Sequence, residues 1–286
     1  MPELPEVETI RRDLEKYIVN KSIIKIRAPV SKVIQSPVRE LRRTLLHNKI
    51  NAIKRRGKLL VFCLEPDGQF LLIHLKMTGQ LLYQERDIRI AGGHSQGQPF
   101  SGLPNRHTRL TITFADGAKL FFNDLRLFAY ARLADKKQCA AVLKRYGVEP
   151  LSPAFTVKRL TNILRNKKKI LKALLLDQEI IAGIGNIYAD EACFAAGIHP
   201  RRRCHRLKSE EIKRLHRAIK KILRLAVKKR GTTFNNYVDG LGRTGSFTNY
   251  LKVYGRAEEN CRCGRVILTK ITVAGRGTVV CAVCQK

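Results

Sequence analysis

The chain opens on the stretch MPELPEVE, residues 1–8, which predicts how its N-terminus is held. Pro5 suits the first position of a helix, and Glu6 and Glu8 favour the first turn because of the helix dipole. Apolar residues then recur at helical spacing at positions Val7, Ile10, Leu14, Tyr17 and Ile18. We therefore expect one amphipathic helix that delivers the N-terminus to a defined place.

Pro2 gives the same stretch a chemical interpretation. If Met1 is removed, Pro2 carries a free secondary amine; an α-amino group titrates near pH ~8, so much of it is neutral and nucleophilic. Attack of this amine on an aldehyde-level carbon forms an iminium, whose positive charge is an electron sink. The plain alternative is that Met-Pro is an ordinary start and that the acids only stabilise the helix. Taken alone, the octapeptide favours that alternative.

The composition indicates a polyanionic partner. The 286 residues include 56 Lys and Arg against 23 Asp and Glu, a net charge of +33. A hydrophobic share of 44% is enough for folded cores and excludes a disordered basic tail. No apolar run reaches the ~18 residues of a membrane span, and the acidic N-terminus lacks the apolar segment of a secretory signal. We expect no membrane association.

The pattern along the chain predicts an α+β, multidomain fold. Between residues 22 and 133, β-rich runs separated by turns predict an antiparallel sandwich with strands at 23–27, 50–55, 59–64, 69–75, 109–114 and 119–123. Residues 85–106 are expected to form a mobile surface loop, and the polar, glycine-rich residues 231–245 a loop. After a break at 150–153, helices are expected at 156–165, 167–177, 188–196 and 209–229. The predicted domains are 1–147, 151–245 and 250–286.

Four of the eight cysteines lie near the C-terminus in two pairs, Cys261-x-Cys263 and Cys281-x-x-Cys284. Paired cysteines across a short β-hairpin predict one structural Zn²⁺, which takes four thiolates and replaces a core that so short a segment lacks. The first pair is shorter than the usual spacing. Chance clustering and a metal-free relic remain alternatives.

The tip of this hairpin, residues 273–278, places Arg276 between two glycines. Glycine lets a backbone approach a ligand closely, and an exposed guanidinium suits a phosphate. A solvated arginine on an ordinary turn is the alternative.

Seven motifs, which occur in order over essentially the whole chain, resemble the formamidopyrimidine-DNA glycosylase family, also called 8-oxoguanine DNA glycosylase/AP lyase. They are Pro2–Thr9, Arg56–Lys58, His74–Gly79, Gly183–Glu191, Ala195–Pro200, Val253–Arg256 and Val273–Thr278. The resemblance implies an N-terminal helix on a β-sandwich, a helix–two-turn–helix domain and a zinc hairpin, with damaged double-stranded DNA in the cleft between the halves. It also implies base flipping and a monomeric, bacterial-type cytoplasmic protein associated with the nucleoid.

The resemblance implies a bifunctional enzyme that hydrolyses an N-glycosyl bond and then cleaves the abasic site as a lyase. Pro2 matches the nucleophile at C1′ and Glu3 the acid that protonates the ring oxygen of the sugar. Lys58 matches a lysine assigned proton transfer in β-elimination, and Arg276 an arginine assigned to δ-elimination, which we interpret as a phosphate clamp. Glu6 matches a residue that orients the site.

Other matches concern DNA. The family fills the gap left by the flipped nucleotide with a methionine, an arginine facing the orphaned cytosine and a phenylalanine, which correspond here to Met77, Arg126 and Phe128. Core packing is the alternative for Met77. The remaining matches to DNA-contacting residues are His107, Lys167, Asn186 and Tyr254; for Lys167 a solvated basic face is the alternative.

Four departures from the family pattern stand out. The first cysteine pair is one residue short and the loop after it one longer. The usual Asp-Pro-Arg-Arg-Phe-Gly segment reads DLRLFA at residues 124–129, and Arg109 replaces a second histidine. The loop of residues 85–106 is longer than usual. We therefore expect backbone shape and preference for cytosine to differ.

Two other functions compete with removal of oxidised purines. One is an endonuclease VIII-like glycosylase for oxidised pyrimidines, which Leu4, Val7 and the Met77, Arg126 and Phe128 set disfavour. The other is a non-catalytic zinc-ribbon DNA-binding protein. It is disfavoured because Pro2, Glu3, Lys58 and Arg276 occur together.

Overall fold

The computed structural model describes residues 1–29, 32–65, 68–93, 100–232 and 246–286. Its contacts divide the chain into two units. The first comprises Met1–Lys144 and Lys229–Ser246, and the second comprises Arg145–Lys228 and Phe247–Lys286. Residues 66–67 of the predicted turn, 94–99 of the 85–106 loop and 233–245 of the 231–245 loop lie outside the described residues. The three predicted domain boundaries stay a prediction.

The first unit is an antiparallel β-sandwich with an N-terminal helix. One sheet has five strands in the order β1-β7-β8-β5-β6 and the other has four in the order β2-β3-β4-β9. The elements are α1 (Leu4–Ile18), β1 (Ile23–Arg27), α2 (Val38–Leu45), β2 (Ile50–Arg56), β3 (Leu59–Leu64), β4 (Gln69–His74), β5 (Gly79–Glu85), β6 (Ile88–Gly93), β7 (Thr108–Phe114), β8 (Lys119–Asp124), β9 (Tyr130–Asp135) and α3 (Lys136–Lys144).

Helix α1 is held by its apolar face, as the spacing predicts. Val7, Ile10 and Leu14 are at most 1% exposed and belong to the core of the sandwich. The helix comes so close to β6 that a Cβ on Gly92 would lie 2.4 Å from Cγ1 of Ile10. Because this face is buried along the whole helix, the N-terminus has a defined position against the sheets.

Six predicted strands are confirmed within one or two residues, but the prediction of a loop over 85–106 is wrong at its start. Residues Ile88–Gly93 form β6, which pairs with β5 from Glu85↔Ile88 to Gln80↔Gly93. Glycine usually indicates a loop. Here Gly92 and Gly93 lie in a strand. They are glycines because Ile10 and the backbone of Gly79 leave no room for a Cβ. The pattern also missed β5, β9, α2 and α3.

The second unit is helical and ends in a β-hairpin. Its elements are α4 (Val157–Arg165), α5 (Leu171–Leu176), α6 (Asn186–Ala196), α7 (Ser209–Lys228), β10 (Thr269–Val273) and β11 (Arg276–Val280). Helix α5 begins later than the predicted residue 167, because Ile170 is extended and pairs with Arg203. Among the described residues, none of the helices is both long and apolar enough to cross a membrane.

Candidate functional site

The N-terminus of α1 is organised by Glu6. Its Oε2 accepts a hydrogen bond from the Glu3 N–H at 2.9 Å, and its Oε1 accepts from the Thr232 N–H at 2.7 Å and from the Thr232 hydroxyl at 3.1 Å. Gly231 lies so close that a Cβ would be 2.6 Å from Oε1. Both oxygens of Glu6 are therefore occupied by bonds that fix the start of the helix, which supports the orienting role predicted for it.

The residues at the start of the chain are enclosed. Pro2 is buried, Glu3 is 3% exposed, and only the Met1 side chain reaches solvent, at 47%. Burial lowers the pKa of the Met1 amino group, Glu3 and Glu6 oppose this effect, and the charge of Lys58 lowers the pKa further. The Met1 amino group is thus less basic than an ordinary α-amino group.

Lys58 lies in the turn between β2 and β3 and is 4% exposed. Gly57 before it has φ +56°, a left-handed conformation that glycine adopts without strain. Arg55 donates from Nη1 to the Gly57 carbonyl at 3.0 Å, which holds the turn. Nearby His74 is neutral, because burial and the charges of Lys76 and Lys58 lower its pKa to about 3.

Glu8 joins the N-terminal helix to this turn. Its carboxylate accepts from Arg55 Nε at 2.9 Å, from Arg12 Nε at 2.7 Å and from Arg11 Nη2 at 3.1 Å. Burial by itself raises the pKa of Glu8, but the hydrogen bonds from Arg11, Arg55 and Arg12 outweigh it and lower the pKa to about 2. The sequence indicated Glu8 only as a helix-dipole residue; its role in tying the Lys58 turn to α1 depends on the tertiary structure.

We expect Glu8→Gln to lower the free energy of unfolding by about 2 kcal/mol at pH 7, because charged hydrogen bonds are lost. The folded pKa lies below the ordinary value of 4.5, so the stabilisation is present above pH 4.5 and is lost as the pH falls through about 2. Urea unfolding at pH 7 and at pH 3 measures the difference. Glu15→Gln on the same helix is the control, and an equal loss at both pH values would contradict the prediction.

Met77, Arg126 and Phe128 lie on two adjacent loops of the first unit. Met77 and Phe128 are 38% and 53% exposed, which argues against core packing for Met77. The Arg126 guanidinium lies 4.7 Å from the centre of the Phe128 ring, so the two side chains form one cation–π pair. The two loops are joined by Thr78, which donates to Asp124 Oδ1 at 2.5 Å and accepts from the Arg126 N–H at 3.0 Å.

His107 is half-buried and immediately precedes β7. Its carbonyl accepts a hydrogen bond from the N–H of Asp124, next to the loop that carries Arg126 and Phe128. Burial lowers the pKa of its imidazole, and the charges of Arg106 and Arg109 lower it further.

In the second unit Asn186 and Arg276 lie at the first turn of α6 and in the hairpin, and Lys167 and Tyr254 lie on other segments. Asn186 is the first residue of α6 and donates from Nδ2 to the Gly277 carbonyl at 3.1 Å. Arg276 is exposed at the start of β11, as is Lys167 after α4. The backbone of Tyr254 is held by Glu191, whose Oε1 accepts from the Tyr254 N–H at 2.9 Å. These placements leave the cationic side chains accessible to a ligand.

A buried ion pair that the sequence did not indicate supports the hairpin. Lys172 and Asp190 are both fully buried and lie 2.5 Å apart, and Lys172 also donates to the Thr278 hydroxyl at 2.6 Å. Burial raises the pKa of Asp190 to about 6, against the opposing charge of Lys172. The only signal in the sequence was Asp190 within the Gly183–Glu191 motif.

Cys261, Cys263, Cys281 and Cys284 form a group that can hold a metal ion. Their four Sγ atoms lie within 4.8 Å of one another, with Cys261–Cys284 and Cys263–Cys281 each at 3.9 Å. Thiolates on a tetrahedral ion with bonds of about 2.3 Å lie about 3.8 Å apart, so the donor set and its spacing fit. The single residue between Cys261 and Cys263 therefore does not prevent the four Sγ atoms from meeting.

The fold and these sites define a class of α+β proteins that combine a helix on a β-sandwich, a helix–two-turn–helix domain and a four-cysteine hairpin. Residues 1–131 match the formamidopyrimidine-DNA glycosylase N-terminal domain and residues 146–237 the H2TH domain of the same enzymes. The chain belongs to the formamidopyrimidine-DNA glycosylase family.

Individual relatives are similar along their whole length. The formamidopyrimidine-DNA glycosylase of Halalkalibacterium halodurans is 41% identical over 292 residues, with 100% of both chains covered. A mutant of the Lactococcus lactis enzyme in complex with Fapy-dG containing DNA is 37% identical, with a TM-score of 0.88 and 100% of both chains covered. The wild-type Lactococcus lactis enzyme in complex with DNA containing an oxidised pyrimidine is 37% identical, with a TM-score of 0.87 and the same coverage.

Proposed function

We propose that this chain is a base-excision repair enzyme that removes oxidised purines, 8-oxoguanine and formamidopyrimidines, from duplex DNA and then cleaves the abasic strand. The observation that supports this proposal most strongly combines two findings. The chain is similar to the family over its whole length, and its Pro2 is buried beside Glu3 at an N-terminus on which the charge of Lys58 acts. A nucleophile, an acid and a second proton carrier are the groups that one sugar needs for this chemistry.

In the first step the Pro2 amine, free once Met1 is removed, attacks C1′ of the flipped nucleotide. The bond from C1′ to the base breaks, and the base leaves with its electron pair and takes up the proton that the attacking amine releases. Glu3 donates a proton to the ring oxygen, the sugar opens, and C1′ becomes an iminium on Pro2. The attack needs a neutral amine, and an α-amino group, which titrates near pH ~8, is partly neutral at physiological pH.

In the second step the iminium accepts electrons. In β-elimination a proton leaves C2′, a double bond forms between C2′ and C3′, and the bond from C3′ to its phosphate oxygen breaks; Lys58 carries this proton. Arg276 supports δ-elimination, in which the second phosphate leaves. An arginine is nearly always charged, so its contribution is electrostatic stabilisation of the leaving phosphate.

The partner in this proposal is damaged double-stranded DNA, bound by a monomer in the bacterial cytoplasm at the nucleoid. His107, Lys167, Asn186 and Tyr254 contact the DNA, and the positive first turn of α6 suits a phosphate. Met77, Arg126 and Phe128 fill the gap left by the flipped nucleotide. Apolar wedges offset an unstacking cost of a few kcal/mol per step.

The four-cysteine group holds one structural Zn²⁺ in this proposal. Zn²⁺ supplies no chemistry to the reaction here; it fixes the strands of the hairpin that carries Arg276.

We expect one zinc per chain by atomic absorption, and Cys281→Ser to lower this ratio to below about one tenth, because structural sites of this kind need all four ligands. The variant should also lose most of its affinity for abasic-site duplex in a gel-shift assay. Cys139→Ala, a buried thiol in the first unit, is the control. Zinc retained in full by Cys281→Ser would contradict the proposed ligand set.

The proposed activity is tested by comparing excision from an 8-oxoguanine:C duplex with excision from a thymine glycol duplex. We expect the oxidised purine to be preferred. The oxidised-pyrimidine complex of the relative makes an endonuclease VIII-like preference the second candidate, and faster excision of thymine glycol would establish it instead. If borohydride traps no covalent adduct on either duplex with Pro2 at the N-terminus, the chain binds DNA without this chemistry.

A further inference from the structure

We propose that Arg109 is a positioning residue, which holds the loop of residues 125–128 in the shape that presents Arg126 and Phe128 to the DNA duplex. The inference rests on the proposed function, because it assigns Arg109 to the insertion step of that same site. It concerns a position where the chain departs from the family pattern.

The contact between Arg109 and the loop is direct and buried. The Arg109 guanidinium donates from Nε at 3.0 Å and from Nη2 at 2.9 Å to the main-chain carbonyl of Asp124, the last residue before the loop. Arg109 is 8% exposed and Asp124 is fully buried. A planar guanidinium that gives two hydrogen bonds to one acceptor fixes direction as well as distance.

A β-bulge places Arg109 at this carbonyl. In the pairing of β7 with β8, Thr108 faces Asn123 while Leu110 faces Phe122, so Arg109 is the extra residue on its strand. Bulges turn a side chain away from the regular alternation of the strand. The Asp124 N–H is bound by the His107 carbonyl at 2.9 Å, so the strand around the bulge holds Asp124 from both sides of its backbone.

The loop needs such support because its backbone is strained. Leu127 has φ +57°, a left-handed conformation that is strained for a residue with a Cβ. Such conformations persist only where the surroundings impose them. The Asp124 carboxylate accepts from Thr78 Oγ1 and from the Ala129 N–H at 2.8 Å, and Arg109 fixes the carbonyl between these contacts.

The side chains that this loop carries face solvent as a unit. Phe128 is 53% exposed and its ring lies beneath the Arg126 guanidinium. Movement of the Asp124 carbonyl therefore displaces the Arg126 guanidinium and the Phe128 ring together. A displacement of about 1 Å is enough to lower the rate of a positioned reaction by up to about 10²-fold.

The test uses the full chain with two variants. Arg109→Leu removes the donors and leaves a smaller apolar side chain, and Arg109→Lys keeps one donor group. We expect Arg109→Leu to lower excision from an 8-oxoguanine:C duplex by about 10–100-fold. Its discrimination between cytosine and adenine opposite the lesion should shrink, and Arg109→Lys should be intermediate. Cleavage of an abasic site in a single-stranded oligonucleotide, which needs no insertion, should change by less than about twofold. Thr111→Val, equally buried on the same strand, is the matched control.

A second assay contains no chemistry. A duplex with a tetrahydrofuran abasic analogue and 2-aminopurine as the opposite base reports insertion through its fluorescence. We expect a smaller change with Arg109→Leu than with the wild type. Equal losses on duplex and single strand, no loss on either, or a fluorescence change as large as that of the wild type would overturn the inference. If the wild type inserts its side chains but forms no borohydride adduct, the proposed activity is wrong and the inference about Arg109 still holds. If the wild type does not insert them, both are wrong.

Discussion

We expect a chain with any residue retained before Pro2 to lose the borohydride-trapped adduct and to excise 8-oxoguanine at least about 10³-fold more slowly than the processed chain. The reason is that an acylated proline nitrogen is an amide, which has no lone pair available to attack C1′.

The matched control is the same extended chain after a protease has exposed Pro2. Mass spectrometry establishes the state of the N-terminus, and single-turnover excision measures the chemical step. Affinity for an abasic-analogue duplex should stay within a few-fold in both forms. An extended chain that still forms the adduct would place the nucleophile elsewhere, and Lys58 would be the first lysine to examine.

We expect Glu3→Gln to lower excision of 8-oxoguanine by about 10²–10⁴-fold but to leave cleavage of a preformed abasic site largely intact. The amide keeps the shape of the side chain and cannot donate the proton that opens the sugar. An abasic sugar already equilibrates with its open aldehyde, so Pro2 can form the iminium there without this proton.

Glu3 is 3% exposed, so its replacement also affects the stability of the fold. The test must separate this structural effect from the loss of a proton donor. The ratio of the two activities makes this separation, since a folding defect lowers both equally. Glu40→Gln, on the exposed first turn of α2, is the control. Equal loss of excision and abasic cleavage by Glu3→Gln would contradict its assignment as the acid.

Much of the fold could be predicted because it depends on patterns that are local in the chain. Helix α1 follows from apolar spacing over 15 residues, and β1, β2, β3, β4, β7 and β8 follow from β-rich runs between turns. The strand β6 could not be predicted, since its glycines indicate a loop until the contact with Ile10 is known. Likewise, the short first cysteine pair left the metal site open until the four Sγ atoms were placed.

The sequence by itself determined the α+β class and the four-cysteine set, because residue types at fixed spacing are enough for these, and it proposed the catalytic residues through the family resemblance. Only the tertiary structure decided how those residues are held. Arg55 reaches Glu8 across 47 positions and Lys172 reaches Thr278 across 106. Arg109 meets the Asp124 carbonyl only because a bulge shifts the register of β7. Contacts of this kind depend on strand register and packing between distant segments, which no local spacing encodes.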